Sequence, residues 1–152
     1  MAIETILLAV SSEEEERIEK IGGVAADVAG PTGATVTLAH VFDTSSYDDV
    51  KERLEFGPND EVSPDKVAKR SVAVRDLSKL LKEADVEHQV RGRTADPGGV
   101  GEGIVDLAEE IDADLVLVGG RKRSPTGKAV FGSTAQEVML ESPCPVTFVR
   151  NE

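Results

Sequence analysis

Two stretches of this chain, Ile6-Leu7-Leu8-Ala9-Val10 and Leu115-Val116-Leu117-Val118, are apolar at every position. A strand with one face in water alternates apolar and polar residues; a strand apolar throughout has to be covered on both faces. Two such strands call for a sheet held between helices, and the remaining sequence supplies both kinds of element in alternation. After the first run, Ser11 and Ser12 offer an N-cap, and the glutamates at 13–16 suit the positive end of a helix dipole. Ile18, Ile21, Ala25 and Val28 recur at helical spacing, and Gly30-Pro31 predicts the end of that helix. A second strand is expected over 35–41. Residues 42–60 are polar, carry Gly57-Pro58 and read as a surface excursion. Ser63-Pro64 opens one helix with Val67, Ala73, Val74, Leu77, Leu80 and Leu81 on its apolar side. A weaker strand follows over 86–93. Pro97-Gly98-Gly99-Val100-Gly101 then leads into a helix bearing Ile104, Leu107, Ala108 and Ile111. Beyond the second apolar run come a loop over 119–131, a short helix over 133–141, the stop Pro143-Cys144-Pro145 and a last strand over 146–149. Strand–helix–strand units join parallel neighbours, so the expected fold is a single-domain, open, parallel five-stranded α/β sheet with helices on both faces. The two wholly apolar strands belong at its centre.

The chain has 152 residues, with 29 carboxylates against 17 Lys and Arg, a net charge of −12. That length fits one domain over 1–152 with a full core. The charge repels phosphate backbones and disfavours nucleic acid as a partner. It suits an ordinary acidic cytosolic protein or one from a halophile that accumulates salt; eight lysines and 3% aromatic residues lean to the second. Carboxylate repulsion is screened over about 10 Å at 0.1 M salt. The melting temperature is therefore expected to rise from low to molar KCl, and an unchanged value would exclude a salt-dependent fold. No apolar run approaches the roughly 20 residues of a membrane span. The first ten residues lack a basic segment, so no signal peptide is expected and the chain reads as cytoplasmic. A lone Cys144 and two histidines, His40 and His88, argue against a disulfide and a protein-only metal site.

The segment 119–134 carries the chemistry. Arg121, Lys122, Arg123 and Lys128 place four cations within eight residues of an acidic chain. The loop ends in Gly132-Ser133-Thr134 at a helix start, where free N–H groups and the dipole favour an anion. Gly132 lets phosphate approach the backbone, and the Ser133 and Thr134 hydroxyls are donors. In open parallel sheets ligands bind outside the strand carboxyl ends, where the winding reverses. With the first and fourth strands adjacent, that crevice lies between Val10-Ser11-Ser12 and Gly119. A P-loop is excluded, because Lys122 stands where its first glycine is required and Ala129 follows Lys128. The Gly98–Gly103 stretch lacks dinucleotide-fingerprint spacing and reads as a flexible helix entry.

The opening run, Leu38-Ala39-His40-Val41, Ala113-Asp114 with the second apolar run and Gly119, Gly132-Ser133 and Pro143-Cys144-Pro145-Val146 together resemble the universal stress protein family. The resemblance spans essentially the whole chain. It implies a Rossmann-like fold with strand order 3-2-1-4-5 and a homodimer. It also implies, in members carrying the motif Gly, two residues, Gly, nine residues, Gly, Ser or Thr, ATP or another adenine nucleotide as ligand, with Mg²⁺ accompanying it. Gly119, Gly132 and Ser133 match that motif; Lys122 replaces the second glycine, where it either obstructs phosphate or supplies a cation. Ser11 stands where ATP-binding members usually carry Asp, and Val41 keeps the position that contacts the base. The implied ligand residues are thus Val10, Ser11, Val41, Gly119, Lys122, Gly132, Ser133 and Thr134, with Arg121, Arg123 and Lys128 beside the phosphates.

No positioned nucleophile, base or metal is legible, so no catalytic residue is assigned. No Gly-x-Ser-x-Gly elbow occurs. Cys144 reads as a small packed residue and His40 as a satisfied structural histidine. A binding or regulatory module ranks first, a dimeric interaction protein without nucleotide second, and a slow ATP hydrolase third. As a sheet edge, Val146, Thr147, Phe148 and Val149 expose backbone groups that a second copy would cover around a twofold axis.

Overall fold

The computed structural model describes residues 2–10, 15–56, 62–120 and 132–150. Five strands, β1 (Thr5–Ala9), β2 (Thr35–Asp43), β3 (His88–Ala95), β4 (Leu115–Gly120) and β5 (Val146–Arg150), form one parallel sheet in the order 3-2-1-4-5. Six helices accompany them among the described residues: α1 (Glu15–Thr32), α2 (Thr44–Arg53), α3 (Pro64–Arg70), α4 (Val72–Glu83), α5 (Val100–Glu110) and α6 (Ser133–Glu141).

The pleat sends alternate residues of each strand to opposite layers. Ile6, Leu8, Val36, Leu38, Leu115 and Leu117 pack with Ile18, Ile21 and Ala25 of α1 and Val74, Leu77 and Leu81 of α4. Leu7, Ala9, Ala39, Val41, Val116 and Val118 pack with Ile104, Leu107 and Ala108 of α5 and Ala135 and Val138 of α6. Ile6, Leu7, Leu8, Val116 and Leu117 are wholly inaccessible, as continuous apolar runs require. Asp114 locks the two central strands together at their amino ends. Its Oδ2 accepts from the N–H groups of Glu4 (2.9 Å) and Thr5 (3.0 Å), and its own N–H donates to the Thr5 carbonyl (2.8 Å).

Several boundaries differ from the sequence expectation. Gly30-Pro31 does not end α1, which runs on to Thr32; the stop is Gly33, whose φ of +73° suits glycine after a helix. Residues 42–56, the described part of the expected surface excursion, are largely strand and helix. Phe42 is buried within β2, and α2 follows, capped by Asp43 accepting from the Ser45 N–H (2.7 Å). Tyr47, Val50 and Leu54 lay α2 over Phe42, in a small third cluster with Val67 and Ala68. Three apolar residues in ten positions of a polar stretch left that face hard to see. The single helix expected from Ser63 is two helices broken at Ser71, which ends α3 and caps α4 by accepting from the Val74 N–H (3.2 Å). The third strand starts at His88 rather than 86. β4 continues to Gly120, and β5 to Arg150.

Candidate functional site

From β1 the chain winds through β2 to β3, then returns by α5 to place β4 on the other side of β1. The winding therefore reverses between β1 and β4. Their carboxyl ends border a cleft of about 300 Å³, lined among others by Val10, Arg17, Lys20, Gly119, Gly132 and Thr134.

Each lining residue is placed by its element. Val10 leaves β1 with its N–H on the Ala39 carbonyl (2.8 Å), which keeps it buried beside β2. Gly119 and Gly120 are the last residues of β4. Gly132 is the N-cap of α6 in extended conformation (φ −65°, ψ 157°), and among the described residues no side chain caps that helix. Among the described residues the first N–H groups of α6 have no partner, with Thr134 half-buried and Ser133 exposed beside them.

Two of these glycines have no packing reason among the described residues. A Cβ at Gly119 would meet only Ile21 Cδ1, at an ordinary 3.7 Å, and one at Gly132 would meet nothing within 4 Å. Gly120 differs: a Cβ there would fall 1.9 Å from Cζ of Phe148. The Phe148 ring on β5 thus accounts for Gly120, while Gly119 and Gly132 leave open space on the cleft.

The structure brings Val10, Gly119, Gly132 and Thr134 to one cleft. Val41 does not line it; it is buried in the layer under α5, close enough to Gly103 that a Cβ there would lie 2.9 Å from Val41 Cγ1. Ser11, Arg121, Lys122, Arg123 and Lys128 lie outside the described residues. Arg17 and Lys20 were missed by sequence reasoning. Their one visible trait is their place in the first turns of α1, against the helix dipole, which favours anions there.

His40 corrects an expectation. Among the described residues its buried Nδ1 has no hydrogen-bond partner, and the ring stacks on Phe42 with centroids 4.1 Å apart. Burial lowers its pKa from 6.5 to about 4, so it is neutral at pH 7. Cys144 is half-buried in the layer under α5 and α6, and burial raises its thiol pKa, which leaves it a weak nucleophile. Its N–H donates to Ser142 Oγ (3.3 Å), which donates to the Cys144 carbonyl (2.8 Å) and closes the turn after α6.

Among the described residues β5 is a sheet edge, paired only with β4. Of the four residues expected at a copy–copy contact, Thr147 is exposed and Val146 and Phe148 are half-buried, while Val149 is buried in the chain's own core. Among the described residues no three His, Cys, Asp or Glu side chains converge to hold a metal, and no helix is long and apolar enough to cross a membrane.

The same fold recurs in known proteins. A universal stress protein from Mycolicibacterium smegmatis is 36% identical over 83 residues, a match spanning 53% of this chain and 61% of that protein. The solved universal stress protein of Archaeoglobus fulgidus superimposes with a TM-score of 0.71 at 25% identity, covering 96% of this chain and 98% of that one. A universal stress protein from the same organism, solved in complex with dAMP, gives 0.65 at 22% identity over 98% and 99% of the two chains. The sequence profile of the universal stress protein family matches residues 2–150, the whole sheet and both cleft-forming strand ends. With that match and the observed strand order, the chain belongs to the universal stress protein family.

Proposed function

We propose that this protein is a stress-response module that binds an adenine nucleotide, ATP first among them, in the cleft between β1 and β4. The observation that carries this reading is the pair Gly119 and Gly132: both border the cleft, and packing among the described residues requires neither. Glycine at such places lets phosphate reach the backbone. The N–H groups that open α6 hold the phosphates, with Ser133 and Thr134 as hydroxyl donors. Lys122, Arg121, Arg123 and Lys128 supply positive potential, joined by Lys20 at the cleft wall. Val10 and Ser11 are assigned to the base side; Val41, buried under α5, is not. Mg²⁺ arrives with the nucleotide. The dAMP complex of the structural neighbour supports the ligand class. No catalytic group is assigned.

Calorimetry with ATP, ADP and AMP, in salt that keeps the protein folded, tests the reading. Gly132→Asp sets a carboxylate against phosphate and is expected to weaken binding at least tenfold, about 1.4 kcal/mol. No heat from the unmodified protein at millimolar nucleotide would sink the proposal and leave the interaction protein in its place.

Two copies are proposed to pair through β5. Its outer backbone groups have no strand partner among the described residues, and α6 beside it exposes Leu140 to 82%. Sedimentation in high salt is expected to show a dimer, and a monomer at micromolar concentration would contradict it.

A further inference from the structure

The end of α2, the end of α3 and the first turn of α4 enclose an open depression of about 450 Å³ that shares no lining residue with the cleft. Its walls are Arg53, Leu54, Glu55, Lys69, Arg70 and Arg75: four cations and one carboxylate on a chain of net charge −12. Helix dipoles account for part of this. Arg53 sits in the last turn of α2, and Lys69 and Arg70 in the last turn of α3, where free carbonyls favour cations. Arg75 has no such reason. It is the fourth residue of α4, at the helix end that disfavours a cation, with its N–H on the Ser71 carbonyl (3.0 Å).

Among the described residues the charges are also unmet. Arg53, Lys69 and Arg75 pair with no described carboxylate, although the chain holds 29. Arg70 is held in position. Its guanidinium lies 4.1 Å over the Phe56 ring, and one NH group donates to the Leu54 carbonyl (3.3 Å). A guanidinium fixed by stacking loses less freedom when it meets an anion.

We propose that this depression is a second anion site, taking a small polyanion of the phosphate class. Three arginines present planar forks that match phosphate oxygens two at a time, and Lys69 adds a point charge. Leu54 is the one apolar residue of the lining, and a face of Phe56 is occupied by Arg70, so no platform is offered to a base. Recognition rests on charge and on forked hydrogen bonds, in a depression small enough for a few phosphate groups. It stands whether or not the cleft binds a nucleotide.

Inorganic tripolyphosphate is the probe, titrated at low ionic strength against the arginine Nε–Hε resonances of the full chain. Shifts at Arg53, Arg70 and Arg75 are expected in the unmodified protein and equally in Gly132→Asp, in which the cleft's phosphate end carries a carboxylate. Arg53→Gln with Arg75→Gln, both at exposed positions, is expected to keep the fold and weaken this binding about tenfold or more. Added KCl is expected to weaken it progressively. Shifts confined to cleft residues, an affinity unchanged in the double variant, or binding of a polyglutamate peptide where tripolyphosphate fails would each overturn the assignment.

Discussion

Gly92→Ala is expected to destabilise the protein by about 3 kcal/mol or more, the largest effect of any single methyl group here. Gly92 lies on β3, opposite His40 of β2, and the start of α3 rests directly on it. A Cβ at this position would fall 2.0 Å from the Pro64 carbonyl oxygen, 2.4 Å from its carbon and 2.9 Å from the Asp65 nitrogen. These are backbone atoms, so no rotamer change relieves the overlap and α3 has to lift. Lifting it breaks the hydrogen bond from the Gly92 N–H to Asp65 Oδ1 (2.6 Å) and uncovers Val67 and Ala68, both wholly buried. Overpacking by side chains alone typically costs about 1–3 kcal/mol, and a hydrogen bond to a charged group adds about 1.5–3. Gly23→Ala is the control. It sits inside α1 with nothing within 4 Å of the added methyl, and is expected to gain up to about 1 kcal/mol from helix propensity. Urea unfolding of both variants checks the pair; Gly92→Ala within 0.5 kcal/mol of the parent, about RT, would show that α3 does not rest on β3 as described.

Acidification is expected to remove about 2 kcal/mol of stability at pH 5 through His40 alone. Burial holds its folded pKa at about 4, against 6.5 in the unfolded chain. The unfolded state therefore binds the proton first. The contribution is complete above pH 6.5 and is lost as pH falls towards 4, where it reaches about 3 kcal/mol. Protonation would place a charge beside Phe42 with no partner at Nδ1. Carboxylates titrate in the same range, so the measurement is a difference. Denaturant unfolding at pH 7 and pH 5 is compared between the parent and His40→Leu at equal salt. The parent is expected to lose about 2 kcal/mol more than the variant. Equal losses would mean that His40 finds a partner or water when charged.

The two central strands were legible because the evidence for them is local, while their order, and with it the β1–β4 crevice, came from the family resemblance. An apolar residue at every position of 6–10 and 115–118 states that both faces are covered, whatever covers them. Capping and breaking residues mark element ends, as Ser63-Pro64 does at the start of α3 and Gly132 at the start of α6, but the break at Ser71 was not read. Of the residues matched to a family pattern, Gly119 at the end of β4 and Gly132 at the start of α6 line the cleft, and Ser133 does not.

What the tertiary structure alone decided are facts about neighbours far apart in the chain. Gly92 reads in sequence as a weak point in a weak strand; only the seating of α3 makes it obligatory. His40 lies in an apolar strand, but whether its ring nitrogen finds a partner depends on which groups β3 and the helices bring to it. Val41 belongs to the pattern of ligand residues and yet is spent on packing under α5, while Arg17 and Lys20, unremarkable on α1, reach the cleft. Arg53, Lys69, Arg70 and Arg75 are scattered cations until the break at Ser71 turns α4 back across the ends of α2 and α3. Periodicity and capping act over a few residues and survive in the sequence; the depth of a helix on a sheet, and the charges that it gathers, exist only once the chain has closed on itself.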